Sequence, residues 1–262
     1  MSETIATALP GGFAANTVLA EGAGSPVVFL HGPYGQRWDG YLSGLADGGH
    51  RVYAPEHPGA ERPEDLMQLD GLWDLILYYD DLFDALGLES FDLVGHSFGG
   101  MVAAEIAATL RPRVRRLVLI DPLGLWRDDT PVADYLTAPP ADLGALLFHD
   151  LDSPDVKARI EEPEDLAAGQ EATVRRMSAI ASTTHFVWPI PDRGLSRRLR
   201  RIAVPTLVLW GRNDRVVDVS YAKDFAAALP DAKVELFDRA GHYPQLEQRA
   251  AVTKATLDFL RG

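Results

Sequence analysis

Gly95-His96-Ser97-Phe98-Gly99 is the segment from which the fold can be worked out. The apolar run before it, residues 91–94, has the length of a buried strand, and residues 100–107 after it favour a helix. A Gly-x-Ser-x-Gly pattern between a strand and a helix predicts a sharp turn that lifts the serine hydroxyl clear of the backbone. Neither Gly95 nor Gly99 has a side chain that would crowd such a turn. We therefore predict that Ser97 is a nucleophile at the end of a strand.

Short apolar runs of strand length alternate with helical stretches over most of the chain. Such alternation predicts a mostly parallel sheet with helices on both faces. Near the N-terminus, residues 13–21 are expected to form an antiparallel edge hairpin with the strand that follows them. The runs predicted as strands are residues 27–30, 51–54, 91–94, 117–120, 206–210 and 234–237.

Residues 122–204 break this alternation. They contain no convincing strand, many of the prolines and a string of short helical pieces. We interpret this segment as a helical cap inserted into a core domain made of residues 1–121 and 205–262. Its aromatic side chains either line a substrate pocket or form the cap's own core. The aromatic candidates for substrate binding are Trp126, Phe148, Phe186 and Trp188.

A serine hydroxyl becomes a good nucleophile when a base takes its proton and a third group orients that base. His242 follows a predicted strand and precedes the last helix, so it fits the base. Asp214 follows the preceding strand and fits the orienting acid. The chain order Ser97, Asp214, His242 is the order expected for a nucleophile on such a turn. Asp121, at the end of another strand, is a rival for the acid, and Asp218 is a further alternative.

Composition excludes several classes of protein. The net charge of −13 disfavours nucleic acid and anionic membrane surfaces as partners, because both require a basic face. The chain has no cysteine, which excludes disulfides and thiolate chemistry and suits a reducing compartment. Its first residues lack the pattern of a secretory signal, and no apolar run reaches transmembrane length. We expect a cytoplasmic protein with a small-molecule substrate. The sequence does not decide between a monomer and a homodimer.

Known motifs for other ligands are missing from the sequence. There is no Gly-x-Gly-x-x-Gly after a strand and no phosphate-binding Gly-x-x-x-x-Gly-Lys-Ser/Thr. No His-Glu-x-x-His or similar spacing supports a metal site. We therefore expect neither a cofactor nor a metal.

The chain resembles the α/β-hydrolase fold superfamily along nearly its whole length. The resemblance rests on four stretches, residues 27–32, 94–100, 205–214 and 240–242. Within the superfamily the chain looks like the capped small-molecule serine hydrolases, which include carboxylesterases and hydrolases of ring-cleavage products. The resemblance implies a mostly parallel central sheet flanked by helices, with the cap inserted after the sixth strand. It also implies a Ser-His-Asp triad, no cofactor, and an active site between core and cap.

The same resemblance implies an oxyanion hole and shows one departure from the family. Members usually use two backbone N–H groups, one from the residue after the nucleophile, here Phe98. The other comes from the residue after a His-Gly pair, and here that residue is Pro33, which has no N–H. Tyr34 is the next candidate, through its amide or its phenolic O–H. His31 borders the substrate region and is expected to be structural, tied to the loop backbone.

Three functions are compatible with these residues. The first is hydrolysis of a carboxylic ester of a small to medium, largely apolar substrate through an acyl-enzyme. The second is carbon–carbon bond hydrolysis of a ring-cleavage product, a vinylogous diketone acid. Residues 241–247 resemble that group, which usually has Trp where Tyr243 stands and Asn where His96 stands; Tyr243 is a further candidate for substrate binding. The third is a non-catalytic ligand-binding protein, which the intact triad argues against and Pro33 argues for.

Overall fold

An eight-stranded sheet runs through the centre of the described part of the chain, which comprises residues 2–13, 15–161, 163–189 and 191–262 of a computed structural model. Its spatial order is β1-β2-β4-β3-β5-β6-β7-β8. β2 pairs antiparallel with β1 and β4, and the remaining neighbours are parallel, which confirms the predicted mostly parallel sheet. The strands are β1 (Glu3–Thr7), β2 (Asn16–Glu21), β3 (Ser25–Leu30), β4 (His50–Pro55), β5 (Phe91–His96), β6 (Val114–Ile120), β7 (Thr206–Gly211) and β8 (Ala232–Phe237).

Helices cover both faces of the sheet. Consecutive strand residues point to opposite faces, so Val27 and Phe29 pack under α1 and α10, while Val28 and Leu30 pack under α2 and α3. The helices are α1 (Gly40–Asp47), α2 (Leu72–Ala85), α3 (Phe98–Thr109), α4 (Pro140–Leu147), α5 (Pro154–Ile160), α6 (Leu166–Val187), α7 (Leu195–Arg198), α8 (Tyr221–Ala228), α9 (Pro244–Glu247) and α10 (Arg249–Arg261), with short 3₁₀ helices at Pro10–Gly12, Pro63–Gln68 and Leu199–Arg201.

The expected N-terminal hairpin is wrong in its pairing. β2 lies at the predicted place in the chain, but it pairs antiparallel with β1 and β4 rather than with β3. The reason is that β3 already has a parallel partner on each side, β4 and β5. Both of its hydrogen-bonding edges are therefore occupied, and neither is left for β2.

The segment between β6 and β7 is helical, in the place where the cap is predicted. Among its described residues it forms α4 to α7 and no strand. It is fastened to the core by side-chain hydrogen bonds: Ser182 Oγ donates to Pro58 O at 2.7 Å, and His185 Nε2 donates to Leu69 O. The boundaries at residues 122 and 204 stay predictions. No helix in the described ranges combines the length and apolar character that crossing a membrane requires.

Glycines 95 and 99 allow the strand β5, the helix α3 and the loop after β3 to approach closely. A Cβ atom on Gly99 would lie 2.2 Å from Leu30 O and 2.4 Å from His31 O. A Cβ on Gly95 would lie 2.3 Å from Gly99 O. Because these neighbours are backbone atoms in packed elements, they cannot turn aside as a flexible side chain would.

We expect Gly99→Ala to destabilise the fold by about 3 kcal/mol, the upper end of the range for overpacking. The urea midpoint of unfolding measures the change. Gly71→Ala is the matched control, because a Cβ there meets nothing within 4 Å. Equal stability of the two variants would contradict the close approach of α3 to the loop after β3.

Candidate active site

Ser97 occupies the turn between β5 and α3 in a strained backbone conformation. Its φ is 55° and its ψ is −117°, and a positive φ is uncommon outside glycine. The turn is held by main-chain hydrogen bonds: Ser97 N donates to Ile120 O, and Leu123 N donates to Ser97 O, each at 3.0 Å. β5 and β3 are neighbours at the point where the strand order reverses, and ligands of open α/β sheets bind at such points.

The structure brings Ser97, His242 and Asp214 into one hydrogen-bonded chain. The Ser97 Oγ–His242 Nε2 distance is 2.8 Å, and the His242 Nδ1–Asp214 Oδ2 distance is 2.7 Å. A carboxylate only accepts, so Nδ1 carries the proton and Nε2 is left to accept from the serine hydroxyl. The Ser97 and His242 residues have no exposed surface. This geometry permits His242 to take the serine proton while Asp214 stabilises the imidazolium that forms.

Two carboxylates lie near the imidazole, and their surroundings differ. Asp214 Oδ1 accepts from Val216 N at 2.8 Å and from Val217 N at 3.1 Å, contacts that favour a charged carboxylate. Asp121 accepts from Gly211 N at 3.0 Å. Burial and then the neighbouring Asp214 charge raise the pKa of Asp121 well above its usual range. Asp121 is therefore the protonated member of the pair, and Asp214 is the one that bonds His242.

Asp218, the remaining alternative for the acid, is exposed and accepts from Ser220 N. Asp121, Asp214 and His242 also bring potential metal-ligand atoms within 4.8 Å of one another. The His242 nitrogens and the Asp214 oxygens are already hydrogen-bonded within the chain. We assign this cluster to the Ser97 site rather than to a metal.

His96 supports the backbone of His242. Its Nε2 donates to His242 O at 2.7 Å, and its ring packs at 4.3 Å from the Tyr243 ring. Burial first, and then the neighbouring His242, lower the pKa of His96 well below the usual histidine range. A neutral His96 with its proton on Nε2 satisfies this contact without adding a charge to the site.

The loop after β3, residues 31–36, is held by an ion pair that the sequence analysis missed. His31 Nδ1 faces Gly32 O at 2.6 Å, and His31 Nε2 lies 2.6 Å from Glu56 Oε1. Glu56 Oε2 also accepts from Gln36 N at 3.0 Å. Burial opposes ionisation of Glu56, but His31 and the Gln36 N–H outweigh it and lower its pKa to about 2. His31 is thus tied to its loop backbone, where the sequence places it, through a carboxylate that follows β4.

The predicted oxyanion residues surround the Ser97 hydroxyl in part. Phe98 is the first residue of α3, so its N–H has no partner within its own helix. Pro33 is buried and contributes no N–H. The Tyr34 hydroxyl donates to Tyr135 O at 3.2 Å, which engages its proton with the segment between β6 and β7, and the phenolic alternative for Tyr34 stays a prediction. The Tyr34 amide stays a prediction.

The aromatic candidates divide into two groups. Phe186 is buried and stacks on Phe98 at 6.1 Å, and Phe148 is buried against Tyr243 at 5.1 Å. Trp126 and Trp188 instead line a cavity of about 140 Å³ inside the cap, together with Tyr135. Trp188 is 42% exposed and borders the surface, whereas Tyr135, which lines the same cavity, packs against His242; substrate binding by Trp126 and Trp188 stays a prediction. Phe186 lies in α6, because the helix continues to Val187.

The comparisons with known proteins agree with this geometry. The model of the alpha/beta hydrolase family matches residues 27–255. The chain is 29% identical to the 2-hydroxy-6-oxo-6-phenylhexa-2,4-dienoate hydrolase of Burkholderia cepacia, over 91% of this chain and 88% of that protein. It is equally similar, with the same coverage, to the 2-hydroxy-6-oxononadienedioate/2-hydroxy-6-oxononatrienedioate hydrolase of Comamonas testosteroni.

A solved structure extends the likeness to the fold. The 2-hydroxy-6-oxo-6-phenylhexa-2,4-dienoate hydrolase from Rhodococcus sp. strain RHA1 superposes with a TM-score of 0.76 at 22% identity, covering all of both chains. The fold and the matched family define an α/β-fold serine hydrolase. This chain belongs to the alpha/beta hydrolase family.

We expect Asp214→Asn to lower kcat by about 10⁴-fold, because the amide would favour the wrong imidazole tautomer. Asp121→Asn should stay within about 10-fold of the wild type, since Asp121 is already neutral and an amide still accepts from Gly211 N. Steady-state hydrolysis of an activated ester measures both. The reverse order would assign the acid to Asp121.

We expect Glu56→Gln to cost about 1.5–3 kcal/mol of stability, the range for hydrogen bonds to charged groups. The folded-state pKa of Glu56 is lowered to about 2, so its contribution is complete above about pH 4.5 and is lost as the pH falls towards 2. Denaturant unfolding at pH 7 and at pH 2 measures this. The gap between wild type and variant should close at the lower pH, and a gap of unchanged size would contradict the ion pair.

Proposed function

We propose that this protein hydrolyses a carbon–carbon bond in a carboxylate-bearing ring-cleavage product, with Ser97, His242 and Asp214 as its triad. The observation that carries the proposal is the hydrogen-bonded chain from Ser97 to Asp214, buried where cap and core meet. The named relatives, similar over 91% of the chain, support the choice of bond, because they are hydrolases of dienoates and dienedioates. They favour the second of the three functions over ester hydrolysis.

The residues fit the steps that such a reaction requires. Ser97 Oγ adds to the ketone carbon as its proton passes to His242 Nε2, and the carbonyl electron pair becomes an oxyanion. When the oxyanion collapses, the carbon–carbon bond breaks, and the departing carbon takes the proton back. This step requires the 2-keto tautomer of the substrate, in which the electron pair on the departing carbon is delocalised through the remaining double bond onto the ketone. Water, activated by His242, then releases the acyl group from Ser97.

Two cap arginines lie where a substrate carboxylate could be bound. The Arg159 guanidinium donates to Gly35 O at 3.1 Å and to Tyr34 O at 3.3 Å, which places its charge at the loop beside Ser97. Burial raises the pKa of Tyr34, and Arg176, on α6, lies close enough to oppose that rise in part. An apolar ester needs no cation in the site, whereas a dienoate does. The cationic pair therefore supports a charged substrate.

Ester hydrolysis is the second candidate, and His96 favours it. His96 stands where hydrolases of ring-cleavage products usually have Asn, and its hydrogen bond to His242 O is compatible with either substrate. Four expectations from the sequence stay predictions. They are the lack of a cofactor or metal, a small-molecule partner, a cytoplasmic location and the undecided homodimer.

The test compares a 2-hydroxy-6-oxo-dienoate with p-nitrophenyl butyrate. Arg176→Gln should raise KM for the dienoate by about 10-fold or more, equivalent to about 1.4 kcal/mol, because the carboxylate loses a cation. The same variant should change KM for the neutral ester less than about 2-fold. Arg175→Gln, an exposed neighbour on the same helix, is the control. Ester turnover without dienoate turnover by the wild type would replace the proposal with ester hydrolysis.

A further inference from the structure

The loop after β3 lacks the backbone donor that its family normally has after the His-Gly pair, which leaves the Tyr34 amide as the remaining candidate in this loop. Pro33 has no N–H, and the Tyr34 hydroxyl is already used by Tyr135 O at 3.2 Å. An oxyanion usually needs two donors, and losing one typically lowers kcat by about 10²–10³-fold. The site therefore has room for a donor from outside this loop.

The Tyr135 hydroxyl is a buried polar group without a partner. The residue is 4% exposed, and its hydroxyl completes a hydrogen bond with no group in the described ranges of the chain. Its ring packs against His242, the residue that is hydrogen-bonded to Ser97, and Ser97 is among the groups that lower the pKa of Tyr135. The Tyr135 ring is 6.3 Å from the His242 ring and 6.4 Å from the Tyr34 ring. A buried hydroxyl without an acceptor costs free energy, so its place near the triad calls for an explanation.

The backbone of Tyr135 is fixed to the loop that carries the acid. Asp214 Oδ1 accepts from Val216 N, and Val216 O in turn accepts from Ala133 N at 2.9 Å. Tyr135 N then donates to Ala133 O, also at 2.9 Å. The Tyr34 hydroxyl holds the Tyr135 carbonyl from the other side. These bonds orient the phenol with respect to the triad, as a preorganised donor requires.

The phenol keeps its proton at neutral pH. Burial first, and then the nearby Tyr243, raise the pKa of Tyr135 well above its usual range, and Ser97 only partly opposes them. Tyr135 therefore presents an O–H that can donate.

We propose that the Tyr135 hydroxyl is a catalytic hydrogen-bond donor to the oxyanion that forms when Ser97 attacks the substrate carbonyl, supplementing Phe98 N–H where Pro33 has none. In this step the Ser97 Oγ–carbon bond forms, the Ser97 proton moves to His242 Nε2, and the carbonyl π pair becomes the oxyanion. Tyr135 donates a hydrogen bond and keeps its proton throughout. The proposal rests on Ser97 as the nucleophile and holds for either candidate substrate.

Tyr135→Phe removes the hydroxyl and keeps the ring. The rate constant for labelling of Ser97 by a fluorophosphonate should fall by about 10²-fold, because phosphonylation develops the same negative oxygen. On p-nitrophenyl acetate, kcat should fall by a similar factor with KM changed less than about 3-fold, the pattern of an interaction made in the transition state. The melting temperature should change little, since the lost hydroxyl had no partner.

Tyr221→Phe is the matched control. It deletes another hydroxyl on a fully buried residue, which donates to Thr130 O and accepts from Arg127 N, away from Ser97. It should lower the melting temperature and leave the labelling rate unchanged. A labelling rate for Tyr135→Phe within about 3-fold of the wild type would overturn the proposal. So would a loss that appears in KM alone, which would make Tyr135 a substrate contact.

Pro33→Gly in the Tyr135→Phe background gives a second measure. Glycine restores an N–H at the position that the family uses, so it should recover part of the lost kcat if the defect is a missing donor. If Pro33→Gly recovers no kcat and KM rises by the same factor as kcat falls, Tyr135 is not a donor to the oxyanion. A wild type whose Ser97 is not labelled would overturn both this role and the serine mechanism. A wild type whose Ser97 is labelled but which does not hydrolyse the dienoate would overturn the proposed substrate alone.

Discussion

The close approach of Gly99 to the carbonyls of Leu30 and His31 is the contact on which the site depends. It packs the first turn of α3 against the end of β3, so the nucleophile and the loop of residues 31–36 lie side by side at the same edge of the sheet. The strained φ of Ser97 is tolerated because β5, β6 and the start of α3 hold the turn from three sides. A side chain at residue 99 would separate the parts that must act on one carbonyl group.

Burial selects the protonation states around this contact. His57 and His96 are fully enclosed, and burial is the largest of the causes that lower their pKa values, so both serve as neutral hydrogen-bonding groups. Glu56 differs, because His31 and the Gln36 N–H outweigh its burial and lower the pKa of this carboxyl to about 2. Burial also governs the two adjacent carboxylates. Two neighbouring buried charges are costly, so burial and the Asp214 charge raise the pKa of Asp121, which keeps its proton. A single charged acid is thereby left for His242.

The sequence predicts what short-range patterns determine. Gly95, Ser97 and Gly99 lie within five residues, and the strand before them and helix after them are legible from apolar periodicity. The places of His242 and Asp214 follow because parallel strands end at one sheet edge, and the chain order already favoured Asp214 over Asp121, the carboxylate that the structure joins to His242 Nδ1 being Asp214. Glu56 could have been noticed as a carboxylate directly after β4, at that same edge. The pairing of β2 could not be predicted from the sequence, because it depends on which strand edges the other strands occupy.

The cap is the part that the sequence describes least well, and it bears directly on the chemistry. No periodic pattern reveals that Tyr135 packs against His242 while Trp188 lies at the surface, because both positions follow from the path of an irregular chain. The same cap closes the site: Leu147 O accepts from His242 N, and Glu247 accepts from the backbone of residues 149, 150 and 241. These contacts leave Ser97 and His242 without exposed surface. Because Ala133 N donates to Val216 O and Tyr135 N donates to Ala133 O, the position of the proposed donor depends on the same loop that orients Asp214, so the acid and the donor are held by one set of backbone contacts.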